Sequence, residues 1–94
     1  MTREEIKEIL EVEIRNCKTN LEKAVSLAKE GKMNAAINRM DIAVMAKNCA
    51  LQRHAQLWDT TKGNITDEEF ELLAEAETLS NLIRKAEKTR RQYR

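Results

Sequence analysis

Apolar residues recur along this chain at helical intervals, in three blocks that two glycines separate. The first block keeps steps of three or four residues, which places its members on one stripe of an α-helix. They are Ile6, Leu10, Ile14, Cys17, Leu21, Ala24 and Ala28. The third block repeats the spacing with Leu72, Ala76, Leu79, Ile83 and Ala86, flanked by Phe70, Leu73 and Leu82. Gly31 and Gly63 stand where left-handed helix caps are needed. The pattern predicts three helices, over about 3–30, 33–61 and 67–92.

Two of these helices have recognisable starts. Before helix 3, Thr66 and Glu69 have the spacing of a capping box, and Ile65 and Phe70 have that of a hydrophobic staple. Helix 1 repeats both devices, with Thr2 and Glu5 as the box and Met1 and Ile6 as the staple.

Composition favours an all-α fold. The 94 residues include no proline, two glycines and 35% charged residues, so little interrupts a helix and strong helix formers are abundant. A chain of this length forms one domain with a modest core. We therefore expect residues 1–94 to form a single antiparallel three-helix bundle with long helices.

Helix 2 differs from the others because apolar residues surround its first half. Large residues at seven-residue spacing run beside a seam of smaller ones: Ile37, Val44, Leu51 and Trp58 beside Ala36, Ala43, Ala50 and Leu57. We expect this helix to be buried nearly all round, which two neighbouring helices of one chain cannot achieve. The surplus predicts a homo-oligomer. Its predicted interface residues are Ile9, Val12, Ile42, Met45 and Cys49.

Short turns indicate which residues lie at the same height in neighbouring helices. Cys17 and Cys49 are expected to be level. They form either a redox-sensitive link or, in the interpretation we favour, two buried thiols that act as small hydrophobes. Trp58 and Phe70 are also level, and with Ile65 they are expected to close one end of the core. The alternative for Trp58 is to stack on a ligand.

Charge is segregated along a chain whose net charge is +1. Helix 3 begins with acidic residues and ends with basic ones, which complements the helix dipole. Its end lies beside the end of helix 1 in an up-down-up bundle. The resulting basic pole comprises Lys29, Lys32, Arg39, Arg84, Lys85, Lys88, Arg90, Arg91 and Arg94. With Tyr93 as a stacking surface, the pole is a candidate site for a nucleotide or another phosphorylated ligand.

Polar residues also interrupt the apolar surface of helix 2, at Arg39, Lys47, Asn48, Arg53 and His54. Each needs solvent or a partner once the helix is packed. They indicate a ligand pocket or a polar subunit interface. In the simpler alternative, Arg39 and Arg53 pair with glutamates of the other helices. The candidate ligand-binding residues are therefore Arg39, Lys47, Arg53, Arg84, Arg90, Arg91, Tyr93 and Arg94.

Catalytic and metal-binding patterns do not emerge from the sequence. His54 has no nucleophile or carboxylate at triad spacing. Glu5, Glu8 and Glu11 recur at three-residue steps, but the second acidic pair that helical magnesium enzymes use is missing. The two glycines do not form a phosphate-binding loop. We expect a non-enzymatic protein without a metal or cofactor.

The segment 27–46, LAKEGKMNAAINRMDIAVMA, resembles the hairpin of HEPN-superfamily domains, in which a glycine turn joins two helices and an alanine-rich segment with an arginine or tyrosine follows. Nuclease members carry an arginine and, a few positions on, a histidine. Here Arg53 and His54 are adjacent, and Arg39 is fifteen residues from His54. The resemblance therefore implies a HEPN-like helical domain without the nuclease motif.

Location and partners follow from what the sequence offers. The apolar runs are too short to span a bilayer, and two cysteines fit a reducing compartment. We expect a cytoplasmic protein that binds neither membranes nor duplex DNA. The predicted function is self-association and binding of a protein partner, as a small regulator or inhibitor of the kind that phages and mobile elements encode. The alternative is an oligomer that sequesters a nucleotide through the basic pole.

Overall fold

Three long helices form an up-down-up bundle. The computed structural model describes residues 1–93, and Arg94, one of the predicted ligand-binding residues, lies outside the described part. The helices are α1 (Arg3–Lys29), α2 (Met33–Thr61) and α3 (Asp67–Arg91). Together they span 46 × 19 × 15 Å between Cα atoms. The predicted all-α antiparallel three-helix bundle is confirmed, with helix bounds within one residue of those expected.

Both predicted capping boxes are present. The hydroxyl oxygens of Thr2 and Thr66 accept hydrogen bonds of 3.2 Å from the backbone N–H groups of Glu5 and Glu69. The two glutamates accept bonds from the threonine N–H groups in return. Each box satisfies backbone donors that a helix start otherwise leaves without a partner.

Left-handed glycines end the first two helices, as predicted. Gly31 and Gly63 both have φ +80, and Lys62 before Gly63 has φ 55. At the end of α1, the N–H of Gly31 donates to the carbonyl of Ala28 at 3.0 Å, and the N–H of Lys32 donates to that of Leu27 at 2.9 Å. Lys32 gives α2 no side-chain cap, so the turn and packing fix the start of that helix.

The core is aliphatic, and small residues dominate the buried side of α2. All seven residues of the predicted α1 stripe are buried. The buried side of α2 includes the seam of Ala36, Ala43, Ala50 and Leu57. Small side chains let two helix axes approach closely. Accordingly, α2 packs most extensively against α1 and least against α3.

An ion pair between the half-exposed Arg3 and the buried Glu69 joins the start of α1 to the start of α3. Glu69 is 0% exposed. Its carboxylate accepts hydrogen bonds from Nε of Arg3 at 2.6 Å, from Nη2 of Arg3, and from the N–H of Thr66 at 2.8 Å. Nη2 of Arg3 also donates to the carbonyl of Asn64 at 3.2 Å. The bond from Arg3, helped by Thr66, lowers the pKa of Glu69 to about 2 from its ordinary 4.5, although burial opposes this shift.

The rotation of α3 differs from the predicted one. Its buried residues are Glu69, Leu73, Ala76 and Leu79, while Leu72, Ile83 and Ala86 pack partly buried against the core. Because Glu69 points inward, the next residue, Phe70, turns about 100° away from the core. Phe70 is 62% exposed and Trp58 is 50% exposed. The prediction that these two aromatics close the core is therefore wrong.

Two expectations concern α2 and the cysteines. Within one chain Ile42 is 43% and Met45 is 67% exposed, as expected of a helix that two neighbours cannot cover, and burial of these residues by a second subunit stays a prediction. Both cysteines are free, and Cys17 is buried while Cys49 is exposed. The prediction of two buried thiols thus holds for Cys17 and fails for Cys49. Burial raises the pKa of the Cys17 thiol, and the charges of Lys47 and Lys18 partly oppose that shift.

The ion pair predicts a specific acid sensitivity. Because the pKa of Glu69 is depressed, its stabilising effect is complete above pH 4.5 and is lost as the pH falls toward about 2. Glu69→Gln should therefore destabilise the protein at neutral pH, and its difference from wild type should shrink across that interval. Urea unfolding followed by circular dichroism at several pH values measures both. Glu68→Gln, which changes the neighbouring exposed carboxylate, is the control. An equal loss for Glu69→Gln at all pH values would contradict the assignment.

Candidate binding surfaces

The exposed surface of α2 is nearly free of charge. Along α2, all of which the structure describes, Asp41 and Asp59 are the exposed residues that carry a formal charge. The remaining exposed residues are Asn34, Ile37, Asn38, Ile42, Met45, Asn48, Cys49, Leu51, Gln52, Ala55, Trp58 and Thr60. On α1 and α3, charged residues outnumber uncharged ones among those exposed. Depletion of charge is the compositional mark of an interface centre.

One flank of this surface faces α1 and contains the predicted interface residues. Nη1 of Arg39 on α2 donates to Oδ1 of Asn20 on α1 at 3.1 Å, so the helix rows containing these residues adjoin. Helical steps place Ile42 and Cys49 on the row of Arg39, with Met45 beside them. On α1, Val12 follows the row of Asn20 and is 44% exposed, while Ile9 is partly buried. The α1 flank thus brings Ile9, Val12, Ile42, Met45 and Cys49 onto one side of the bundle.

The other flank faces α3. It carries the larger residues of the seven-residue pattern, of which Ile37 is 39% and Leu51 is 36% exposed. Trp58 ends this row and lines a crevice of about 90 Å³ with Ile65 and Phe70. The two exposed aromatics therefore make one continuous apolar cluster at the α2–α3 turn, which sequence reasoning had assigned to the core.

The basic pole is partly neutralised by acidic residues within it. Glu87 accepts hydrogen bonds from both Arg90 and Arg91, and the bonds from Arg90 lower the pKa of this carboxyl below its ordinary value. Arg90 also donates to the sulfur of Met33 at 3.2 Å, which ties the end of α3 to the start of α2. Lys32 pairs with Glu30 at 3.5 Å. Arg90, Arg91 and Lys32 of the basic pole therefore make contacts within the chain.

The seven predicted ligand-binding residues that the structure describes do not form one site. Arg84, Arg90, Arg91 and Tyr93 lie toward the end of α3. Lys47 lies mid-way along α2, and Arg53 lies about 30 Å along the helix from Met33. Arg39 and Arg53 bond to amides rather than to the expected glutamates, Arg39 to Asn20 and Arg53 to Gln56. His54 instead reaches across to α3, where its Nε2 lies 3.1 Å from Oε1 of Glu77.

A groove between α1 and α3 was not predicted from the sequence. It measures about 630 Å³. Its apolar lining includes Leu21, Val25, Leu82 and Ala86, and Lys18 and Lys85 lie among its polar residues. Val25, an apolar residue off the predicted α1 stripe, is the sequence feature that could have indicated this groove. The groove is open to solvent along the bundle, and its lysines lie beside carboxylates such as Glu22.

Comparisons with known proteins identify no relative. No protein family, no curated protein and no solved structure matches the chain. The similarity of residues 27–46 to HEPN hairpins therefore stays a resemblance in sequence.

None of the helices in residues 1–93 has the length and apolar character needed to cross a membrane. The same residues bring no three histidine, cysteine, aspartate or glutamate side chains together as a metal site.

The exposed aromatic cluster makes a measurable prediction. Phe70→Ala should change the free energy of unfolding by less than about 0.5 kcal/mol, because the ring is largely in solvent. Leu57→Ala and Leu73→Ala, which empty buried positions, should each cost about 2–5 kcal/mol. Urea denaturation compares the three variants. A loss near 3 kcal/mol for Phe70→Ala would return the ring to the core.

Proposed function

We propose that this is a non-enzymatic protein of the cytoplasm that self-associates through the uncharged surface of α2 and acts by binding a protein partner. The observation that carries the proposal is the near absence of charge from the exposed residues of α2, on a bundle whose other two helices are densely charged. The free thiols of Cys17 and Cys49 fit a reducing compartment.

The energetics of α2 support association. Met45, Ile42 and Trp58 keep large apolar areas in water, and burying such area is worth about 25 cal/mol per Å². The few charges on this surface keep the desolvation cost low. A second copy is the natural occupant, because soluble proteins most often associate as two-fold dimers.

The two flanks allow association and partner binding together. The α1 flank and the flank facing α3 lie on opposite edges of the same exposed helix surface, so a second copy seated on one flank leaves the other exposed. This arrangement suits a small regulator that works as a dimer and presents its remaining flank to a target.

Association is tested by light scattering at micromolar concentration. The monomer has a mass of 10.9 kDa, and we expect wild type to show twice that mass. Met45→Glu places a charge on the α1 flank, and Leu51→Glu places one on the flank that faces α3. The charge should shift the protein toward the monomer only when it lies on the flank that forms the contact. Arg15→Glu, on the exposed surface of α1, is the control and should leave the mass unchanged. A wild-type monomer across the accessible concentration range would refute self-association.

Binding of a phosphorylated ligand is the second candidate, because Arg84, Lys85 and Lys88 of the basic pole are exposed. Since Glu87 already pairs with Arg90 and Arg91, we expect no heat when a panel of cyclic and linear nucleotides is titrated into the protein at low salt. Heat that disappears in Arg84→Gln/Lys88→Gln, with helicity retained, would instead establish the nucleotide binder.

A further inference from the structure

Two rows of residues with the same spacing run side by side on α2 and α3, all of them exposed except the half-buried Val44. On α2, Ile37, Val44, Leu51 and Trp58 follow at seven-residue steps. On α3, Phe70, Glu77, Arg84 and Arg91 do the same. Trp58 and Phe70 line one crevice, and Glu77 bonds to His54 of α2, so these contacts fix the relative height of the rows.

Equal steps in antiparallel helices keep the rows level along their length. One step from the crevice, Leu51 is level with Glu77. A second step brings Val44 level with Arg84, and a third brings Ile37 level with Arg91. The α2–α3 face thus has an apolar row beside a row that changes from aromatic through acidic to basic.

This order is self-complementary. If a second copy is turned end for end about a two-fold axis that crosses the middle of the face, Glu77 is brought to the level of Arg84 in the other copy, and Phe70 to the level of Arg91. Along α2, Ile37 meets the level of Trp58, and Val44 meets that of Leu51. Every charge in the row then faces an opposite charge or an aromatic ring.

We propose that the α2–α3 face binds a second copy of this chain in an antiparallel two-fold arrangement, with Glu77 of each copy opposite Arg84 of the other. This inference rests on the self-association proposed above and specifies its surface and direction. It places the partner-binding flank at α1, with Met45 and Cys49.

The opposite direction is disfavoured by charge. With both copies pointing the same way, the two basic poles lie side by side, and Arg84 and Arg91 face the level of apolar residues of α2. Like charges brought together in this way cost free energy of association. The antiparallel arrangement instead sets the basic end of one copy against the acidic start of α3 in the other.

The face is large enough for a dimer. The row from Ile37 to Trp58 is about 32 Å long, and two adjacent helices are about 20 Å wide. Their product, about 640 Å² per copy, approaches the roughly 800 Å² per partner of a standard interface.

Charge exchange within one chain tests the pairing. The dimer dissociation constant is measured by analytical ultracentrifugation for Glu77→Arg, Arg84→Glu and the double variant. Each single change places like charges opposite each other twice in a two-fold dimer, so we expect the dissociation constant to rise about tenfold or more. The double variant should return to within about threefold of wild type, because both pairs are restored with reversed sign.

Controls separate this pairing from other effects. Arg84→Glu leaves the His54–Glu77 contact untouched, so a similar loss in both single variants points to the interface. Glu11→Arg/Arg15→Glu, a charge exchange on exposed positions of α1, should not alter association. If the double variant dissociates as readily as the single variants, the pairing is wrong. If Met45→Glu dissociates the dimer while Glu77→Arg and Arg84→Glu do not, self-association stands but the α2–α3 face is refuted as the dimer interface.

Disulfide trapping tests the direction. In a Cys49→Ser background, Asn48→Cys lies near the proposed axis and should link to its counterpart on oxidation with copper phenanthroline, while Cys17 stays buried. Asn34→Cys, at the far end of the same surface, should not link to itself. Asn34→Cys linking as readily as Asn48→Cys, or failure of Asn48→Cys to link in a protein that is still dimeric, would overturn the antiparallel arrangement.

Discussion

The hydrogen-bonded pair of Arg3 and Glu69 is the constraint on which the arrangement of the three helices depends. A carboxylate that is 0% exposed is tolerable only with strong partners, and Glu69 has the Arg3 guanidinium and the Thr66 N–H. The same guanidinium holds the carbonyl of Asn64 in the α2–α3 turn. One side chain of α1 therefore fixes both the position of that turn and the rotation of α3.

That rotation decides which chemistry α3 presents. With Glu69 inward, Leu73, Ala76 and Leu79 follow it into the core, and Phe70 is carried outward beside Trp58. The seven-residue repeat then places Glu77, Arg84 and Arg91 on the same outward side. A buried acidic residue at the start of the helix is thus the reason that an aromatic ring and three charges share one surface row.

The sequence predicted what local chemistry determines. Capping boxes, glycine caps and the regular α1 stripe depend on residues a few positions apart, and they were found with the right bounds. The rotation of α3 about its axis depends on Arg3, a partner of Glu69 that lies sixty-six residues away. When that partner is unknown, Glu69 looks like a surface residue and Phe70 like a core residue, so the sequence pattern predicts the wrong rotation. The candidate surface of α2 was found in part, because an excess of apolar residues signals an interface. Arg84 was predicted as part of the basic pole and not as a counterpart of Glu77, since the partner of a charged residue on a helix surface is not evident until its neighbours are known.

The alanine seam explains why α2 has apolar residues to spare. Ala36, Ala43 and Ala50 let α1 approach closely, but each removes little area from water, so the larger residues that would fill a conventional core must lie elsewhere. On α2 they lie on the outward rows, exposed at 39% for Ile37 and 67% for Met45. A bundle of this size already buries a modest fraction of its surface, and using alanine for its principal contact leaves it short of apolar burial. In the proposed dimer a second copy would cover the row that contains Ile37 and supply part of that burial, so the same sequence choice that brings two helices close within one chain would favour association between chains.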